Sequence, residues 1–475
     1  MTGVQTCALP IYGIRILLDV ISHGVMKDSP LIQEHPDWFK SGSWGMADFD
    51  WFGGHKDLDD WWVDVWTKSI LDWGVDGFRI DCDIYRPDLW ARVRHNAADA
   101  GKEILIIGEG SIAQQGVTDS TQGMEVITFN NGLNKDHPML HDVAGYLNHR
   151  RTLGDRQAIG VEIEYADGEK DTYPNGKLFL DFCETAVEPV HNEAPFAREV
   201  CRLRVKNAEE TKEIQKISAN CGRSHAHTGH NDLPVTYTRL HGEVSLSFPM
   251  AYQRDQVISV QLSCHDNGWD GWPEDQNPFG IQGSRYLMGY CGLMAPAMPI
   301  MMSGEEFDAE YRPIPWHAND LYGKKEPGSG RWLYGAWLDW DQLKLPRHAG
   351  MLSDTRKLLA LRKRFGKVIK PFRFGKEPAC PVVSPPFTCK LPVPAPYAYP
   401  FAEGVLLVAA NPHQQPVDIT VDLDGAFTAC EALFGETARL SGDGAAQVTV
   451  TVKPDRVEGG GLTVVLLRKA PAIRA

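Results

Sequence analysis

The sequence predicts an α/β protein, a parallel sheet wrapped by helices, with a β-rich insertion and a separate antiparallel β domain behind it. Three observations predict this. The apolar runs "IRILLDV", "GVDGFRID" and "EILIIGEG" alternate with helical patterns, as parallel strands joined by helical crossovers do. From about Thr152 to Asp255 the pattern changes to runs such as "GVEIEYADGEKDTYPNGKLFLDF", broken by turn dipeptides, which reads as antiparallel and half-exposed. Past Lys370 the chain turns Pro-, Val- and Thr-rich, with "GVLLVAANP", "VDITVDL" and "GLTVVLLR" as strands.

With 475 residues and 43% apolar composition, the chain is long enough for two or three domains, and no apolar run approaches the length of a bilayer span. A formal charge of -14 without a Lys/Arg block argues against nucleic acid or an acidic membrane surface as a partner. The 10 cysteines are scattered without a C-x-x-C pair, so neither a zinc ribbon nor a dithiol redox motif is indicated. Cys380 and Cys389 are close enough in sequence to bridge a proline-rich loop, but unpaired thiols are the favoured expectation.

The first strand, Ile14 to Val20, is apolar except at Arg15 and Asp19, as expected for a strand buried on both faces. A Trp- and Gly-rich irregular stretch from His23 to Lys56 follows. The next helix has Leu58, Trp61, Trp62, Val65, Trp66, Ser69, Ile70 and Trp73 at three-four spacing, one buried face. Asp59 and Asp60 suit its positive N-terminal end. "GVDGFRID" is a strand, Pro87 to about Ala100 a helix opened by proline, and "EILIIGEG" a strand. "MEVITFNNG" and "HPMLHDVAGYLNHRR" read as a strand and a helix ahead of the insertion. After it come a strand at "VISVQLSCHD", a helix near "GSRYLMGYCGL", a strand at "PAMPIMMSG" and a helix with apolar Met351, Leu352, Leu358, Leu359 and Leu361.

Asp19, Asp81, Glu109 and Asp266 fall at or just beyond the C-terminal ends of these parallel strands. In a parallel barrel the loops at that end build the active site, so acids from four strands would converge there. Arg79 and Asp81 are two apart and share one side of their strand. A guanidinium beside a carboxylate favours the ionised form, which suits a nucleophile. Glu109 follows "ILIIG", and apolar surroundings favour a protonated acid, which suits a proton donor. Two carboxyl groups tuned apart in this way are what glycoside hydrolysis requires. Taken singly, an Asp at a strand end is usually a helix cap or a loop hydrogen-bonder.

Together and in order, these stretches resemble the α-amylase family, glycoside hydrolase family 13. "LLDVISH", "GFRID", "IIGE" and "SCHD" are similar to its four conserved stretches, "GFRID" being the most specific. "PIMMSGEEF" and "LLALRKRF" resemble its last barrel unit. The resemblance covers roughly Gly13 to Gly366, outside the insertion. It implies a (β/α)8 TIM-type barrel and retaining cleavage of α-glucosidic bonds in α-glucans or oligosaccharides. Asp81 would be the nucleophile, Glu109 the acid/base, and Asp266 would stabilise the oxocarbenium-like transition state. Arg79 would position Asp81, His265 and His23 would hydrogen-bond the bound sugar, and Asp19 would be a structural partner in the pocket. No cofactor is required on this basis. The family's first stretch runs Asp-Val-Val-x-Asn-His, and here the Asn, often a calcium ligand, is missing and His23 stands one residue early, which puts a calcium site in doubt.

Trp44, Trp51, Trp269 and Trp272 lie in loops on the expected active-site side, where an indole either stacks on a sugar or anchors its loop. In the insertion, "CGRSHAHTGHND" brings together Cys221, His225, His227, His230 and Asp232. Their spacing matches no specific metal site, and a polar surface loop is the favoured expectation.

The family's first conserved stretch ends its third barrel strand, so two strand-helix units are expected to be missing ahead of Gly13. "TGVQTCALPI" resembles the translation of a sequencing adapter, ACT GGA GTT CAG ACG TGT GCT CTT CCG ATC. The sequence is therefore expected to divide into a non-biological leader (1–12), barrel strands three to six with a short loop domain at about 23–56 (13–151), the inserted subdomain (152–255), barrel strands seven and eight (256–368) and a C-terminal β-sandwich (369–475). Two alternatives stay open. One is a transglycosylase or isomerase of the same family, in which a sugar hydroxyl replaces water. The other is a non-catalytic carbohydrate-binding or interaction scaffold.

Overall fold

The computed structural model describes residues 13–42, 45–51, 53–81, 86–108, 119–121, 142, 144–145, 156–181, 186–189, 197–206, 213–221, 236–240, 243–250, 257–261, 285–309, 311–313, 336–373, 378–441 and 446–469. The chain divides into two units, Met1–Gly123 with Thr152–Gln256, and Met124–Arg151 with Val257–Ala475.

The first unit opens with β1 (Leu17–Ile21), followed by β2 (Gly24–Met26), β3 (Phe39–Ser41) and β4 (Met46–Phe49). The last three pair antiparallel in the order β2-β4-β3, forming a small sheet beside the end of β1. Helix α1 (Lys56–Asp72), β5 (Gly77–Asp81), helix α2 (Pro87–Asp99), β6 (Leu105–Gly108) and β7 (Ser120–Thr121) complete a parallel sheet in the order β1-β5-β6-β7. Its register sets Asp19 opposite Arg79 and Ile21 opposite Asp81. Asp76 ties the strand starts together: its carboxylate accepts from Ile16 N–H at 2.8 Å and its carbonyl from Leu105 N–H at 3.0 Å.

The two faces of this sheet differ. Val20, Phe78, Ile80 and Ile106 are buried together with Leu58, Trp62, Val63 and Ile70 of α1 and Leu89, Trp90 and Val93 of α2. The opposite face carries Asp19, Ile21, Arg79 and Asp81 and is half open, Ile21 being 51% exposed. The expectation of strands buried on both faces is thus corrected, because alternate residues of β1 and β5 carry the polar groups and stand clear of the helices.

The core of this unit is aromatic. Trp62 meets Trp51 at 4.9 Å and Trp90 at 5.7 Å, both edge to face, geometries that the ring quadrupoles favour. Two details of the expected α1 face change. Val63 is buried, and Trp73 is 60% exposed, because the helix ends at Asp72 and Trp73 is the residue that caps it. Further along the same unit, β8 (Arg156–Tyr165), β9 (Lys170–Asp181), β10 (Ala186–Pro189), β11 (Ala197–Lys206), β12 (Ile214–Cys221), β13 (Thr236–Leu240) and β14 (Glu243–Met250) form two antiparallel sheets, β12-β8-β9 and β10-β11-β14-β13.

In the second unit β15 (Ser259–Gln261) and β16 (Met298–Ile300) pair in parallel. Between them the expected helix takes the wider π form over Leu287–Leu293, buried throughout. Arg362 satisfies carbonyls beyond its end, donating to Leu293, Ala295 and Ala297, a cation where the helix dipole is negative. Strands β17 (Tyr311–Pro313) and β18 (Ala336–Leu338) pair antiparallel, and helix α3 (Pro346–Arg364) follows. Its buried face is His348, Met351, Asp354, Thr355, Leu358 and Leu361. Leu359, expected inside, is 40% exposed, since it lies about 100° around the helix from Leu358.

The chain then builds two four-stranded antiparallel sheets. They comprise β19 (Phe387–Cys389), β20 (Tyr397–Phe401), β21 (Gly404–Ala410), β22 (Val417–Asp422), β23 (Phe427–Phe434), β24 (Ala438–Leu440), β25 (Gln447–Val452) and β26 (Leu462–Lys469), in the orders β19-β22-β25-β24 and β20-β21-β26-β23. Val405, Leu407, Val465 and Leu467 pack against Ile419, Val421, Val448 and Val450 between the sheets. Leu406, Val408, Val464 and Leu466 point the other way, into a core with the π-helical segment and α3. Strands β21 and β26 are therefore apolar on both faces, as their continuous runs require. Cys380 and Cys389 are free thiols. Asp455 accepts the backbone N–H of Tyr286 at 2.9 Å. Gly461 (φ 72°) leaves room for this contact: a Cβ there would lie 2.4 Å from Asp455 Oδ1 and 2.7 Å from Tyr286 N.

Candidate active site

β1 and β5 end side by side, and their register places Asp19, Arg79 and Asp81 on one face. Arg79 Nη1 donates to Asp81 Oδ1 at 2.6 Å and to Asp19 Oδ1 at 2.9 Å. The guanidinium is mostly buried, Asp81 is partly open, and the Asp19 side chain is 62% exposed. A charge-assisted bond of this length restricts the Asp81 carboxylate, which stays partly exposed at the strand end. A carboxylate oxygen held in this way is chemically able to act as a nucleophile.

The loop after β1 is clamped to the same place. Ser22 Oγ donates to the Asp81 carbonyl at 3.1 Å, and the Trp51 indole N–H donates to the Ser22 carbonyl at 2.9 Å. Arg86 donates to the Trp51 carbonyl at 3.1 Å and grips Asp59 with two bonds of 2.7 Å. It also donates to Asp88 at 2.9 and 2.8 Å. Burial acts to lower the Arg86 pKa, but the bonds and charges of Asp88 and Asp59 outweigh it and raise it. Trp51 is only 5% exposed and packs edge to face on Trp62. Of its two possible roles, loop anchor or sugar platform, the structure therefore supports the anchor.

His23 is buried with Nδ1 3.4 Å from Asp48 Oδ1, and its carbonyl accepts from Phe49 N–H at 2.8 Å. Counting from Asp19, His23 stands where the family's Asn would be. Among the described residues no group of three or more His, Cys, Asp or Glu side chains is placed to hold a metal ion. The imidazole of His23 is a nitrogen donor, where a calcium ion takes oxygen ligands.

Four expected site residues are thus described, and Asp19, Arg79 and Asp81 come together while His23 pairs with Asp48. Glu109, Asp266 and His265 lie outside the described residues, as do Trp44, Trp269 and Trp272 and the insertion's His225, His227, His230 and Asp232. Ser22, Asp48 and Arg86 were missed by sequence reasoning. The only signal for Ser22 was its place directly after a strand end. Nothing in the spacing of Asp48 or Arg86 announces a partner 25 or 27 residues away.

No family model matches the chain, and no curated protein matches it. Among solved structures, the fold is similar to that of a noncanonic maltogenic alpha-amylase, AmyB, from Thermotoga neapolitana. The identity is 12%, over 97% of this chain and 79% of that one, with a TM-score of 0.50. Also similar are an Anoxybacillus alpha-amylase (11% identity, 98% and 78% covered, TM-score 0.49) and that of H.orenii (14%, 96% and 81%, TM-score 0.49). The likeness to the Thermotoga structure is one of fold, an α/β body with a C-terminal β domain, and it agrees with the resemblance carried by "LLDVISH" and "GFRID".

Proposed function

We propose that this chain is a retaining glycoside hydrolase of the α-amylase family that cleaves α-glucosidic bonds in α-glucans or oligosaccharides. On this proposal the parallel strands belong to a (β/α)8 barrel, and Asp81 stands at the C-terminal end of β5. The observation that carries the proposal is Arg79 bridging Asp19 and Asp81 at adjacent strand ends, with Asp81 partly open. Asp81 attacks the anomeric carbon while Glu109 protonates the departing glycosidic oxygen, giving a glycosyl ester on Asp81. Glu109, now a carboxylate, takes a proton from water, which attacks the same carbon and frees Asp81. Asp266 and His265 hold hydroxyls of the sugar at the point of cleavage. Asp19 keeps Arg79 in place, and the oligosaccharide is the only partner the mechanism requires.

The test is Asp81→Asn with a maltooligosaccharide as substrate. Hydrolysis should fall by about 10⁴-fold or more, as when the nucleophile of a covalent mechanism is removed. Hydrolysis retained at the wild-type level would overturn the assignment. Chromatography of the wild-type products separates hydrolysis from transfer, since transfer yields oligosaccharides longer than the substrate.

A further inference from the structure

We propose that Ser22 and Trp51 are positioning residues for the reaction, acting through the backbone of Asp81. This rests on Asp81 being the nucleophile. The carboxyl end of β5 is held at two levels. Arg79 restrains the Asp81 side chain, and Ser22 Oγ donates to the Asp81 carbonyl at 3.1 Å. Ser22 follows directly on Ile21, the last residue of β1 and the register partner of Asp81, so its hydroxyl ties the two strand ends together just past the ladder.

Ser22 is itself held. Its carbonyl accepts the Trp51 indole N–H at 2.9 Å. The indole is wedged against Phe49 at 5.0 Å and Trp62 at 4.9 Å, and the Trp51 carbonyl accepts from Arg86, five residues beyond Asp81. The sequence Asp81, Ser22, Trp51, Arg86 and back along the chain to Asp81 is therefore a closed ring of three hydrogen bonds and one stretch of backbone. Both ends of the segment leaving β5 are fixed to a buried aromatic wall. Displacing a nucleophile by a fraction of an ångström weakens attack without weakening binding of the sugar, whose contacts come from other side chains. The ring therefore acts on turnover and leaves affinity alone.

The test measures kcat and KM on a short maltooligosaccharide for wild type, Ser22→Ala, Ser22→Thr and Trp51→Phe. In Ser22→Ala, kcat should fall about tenfold with KM within about twofold of wild type. Ser22→Thr, which keeps the hydroxyl, should recover most of the loss, and Trp51→Phe should lower kcat in the same sense. A role in stability alone would lower the melting temperature and leave kcat of the folded fraction unchanged. If Ser22→Ala does not fold, Ser22→Cys carries the test, because it leaves no cavity and weakens the donor. An active wild type with unchanged kcat in the folded Ala or Cys variant overturns this inference alone. A wild type without glycosidase activity, or one indifferent to Asp81→Asn, overturns the site reading and this inference with it.

Discussion

Arg285 Nε donates to Asp354 Oδ2 at 2.8 Å where neither side chain reaches solvent. The same carboxylate accepts from Lys357 at 3.0 Å and from the Gly459 N–H at 2.7 Å. Helix α3 therefore buries an acid on its inner face with each oxygen partnered. Burial alone would raise the Asp354 pKa, but the Gly459 bond, then Arg285 and Lys357, hold it below the usual carboxylate value. Removing one member of a buried pair strands the other's charge, which costs about 3–5 kcal/mol. Asp354→Ala should lower stability by about that amount, read as a shift of the urea midpoint, and Lys357→Ala, whose side chain is half in solvent, by about 1 kcal/mol or less.

Asp455 responds to pH in the opposite sense. Burial pushes its carboxyl up to about 7, against the lowering effect of the Tyr286 N–H and the Arg285 charge. A folded value above the unfolded one means that the folded chain holds the extra proton between about pH 4 and about pH 7. This contribution to stability is full below the unfolded value and is lost as pH rises through the folded one, by up to ~4 kcal/mol. Asp455→Asn keeps an oxygen for Tyr286. Melting temperatures from about pH 5 to about pH 8 should fall with rising pH in wild type and vary less in the variant.

At the strand ends, Arg79→Lys tests the shared bond. An ammonium lacks the planar fork of a guanidinium, and it cannot reach Asp19 and Asp81 with the same geometry. Turnover of a maltooligosaccharide should fall about 10²-fold, with the melting temperature shifted by only a few degrees because lysine keeps a positive charge beside the two carboxylates. Equal kcat in the two proteins would show that the bridge plays no part in catalysis.

Gly77 opens β5 opposite Leu105, the first residue of β6. A Cβ there would sit 1.9 Å from the Leu105 carbonyl oxygen, which neither strand can relieve without breaking the parallel ladder. Gly77→Ala should cost about 3 kcal/mol or more, visible as a lowered urea midpoint of the first unit.

The positions of Arg79 and Asp81 were legible because a strand's period is two and "GFRID" fixes their spacing. The runs "GVLLVAANP" and "GLTVVLLR" likewise announced β21 and β26 as strands, and the structure adds that both of their faces are buried. What was illegible depends on partners distant in sequence. Leu358 and Leu359 look alike as letters, and only packing against β21 and β26 decides which is buried. Asp354 reads as a polar interruption of α3 until Arg285 and Gly459 are brought to it. Ser22 reads as a loop residue until β5 supplies a carbonyl. The π-helical winding of Leu287–Leu293 has no periodic signature in so short a run, since seven residues do not separate it from an α-helix.

The indoles of the first unit give the molecule an optical signature. Trp51, Trp62, Trp66 and Trp90 lie within 4.9 to 6.1 Å of one another in a continuous set of ring contacts, close enough for their electronic transitions to mix. Their near-ultraviolet circular dichroism will be strong and will vanish when this core loosens. Trp337 and Trp340 of the second unit are half exposed and should emit as solvated chromophores in the folded protein. Ellipticity in the tryptophan bands will therefore follow the loosening of the core behind the β1-β5-β6 sheet.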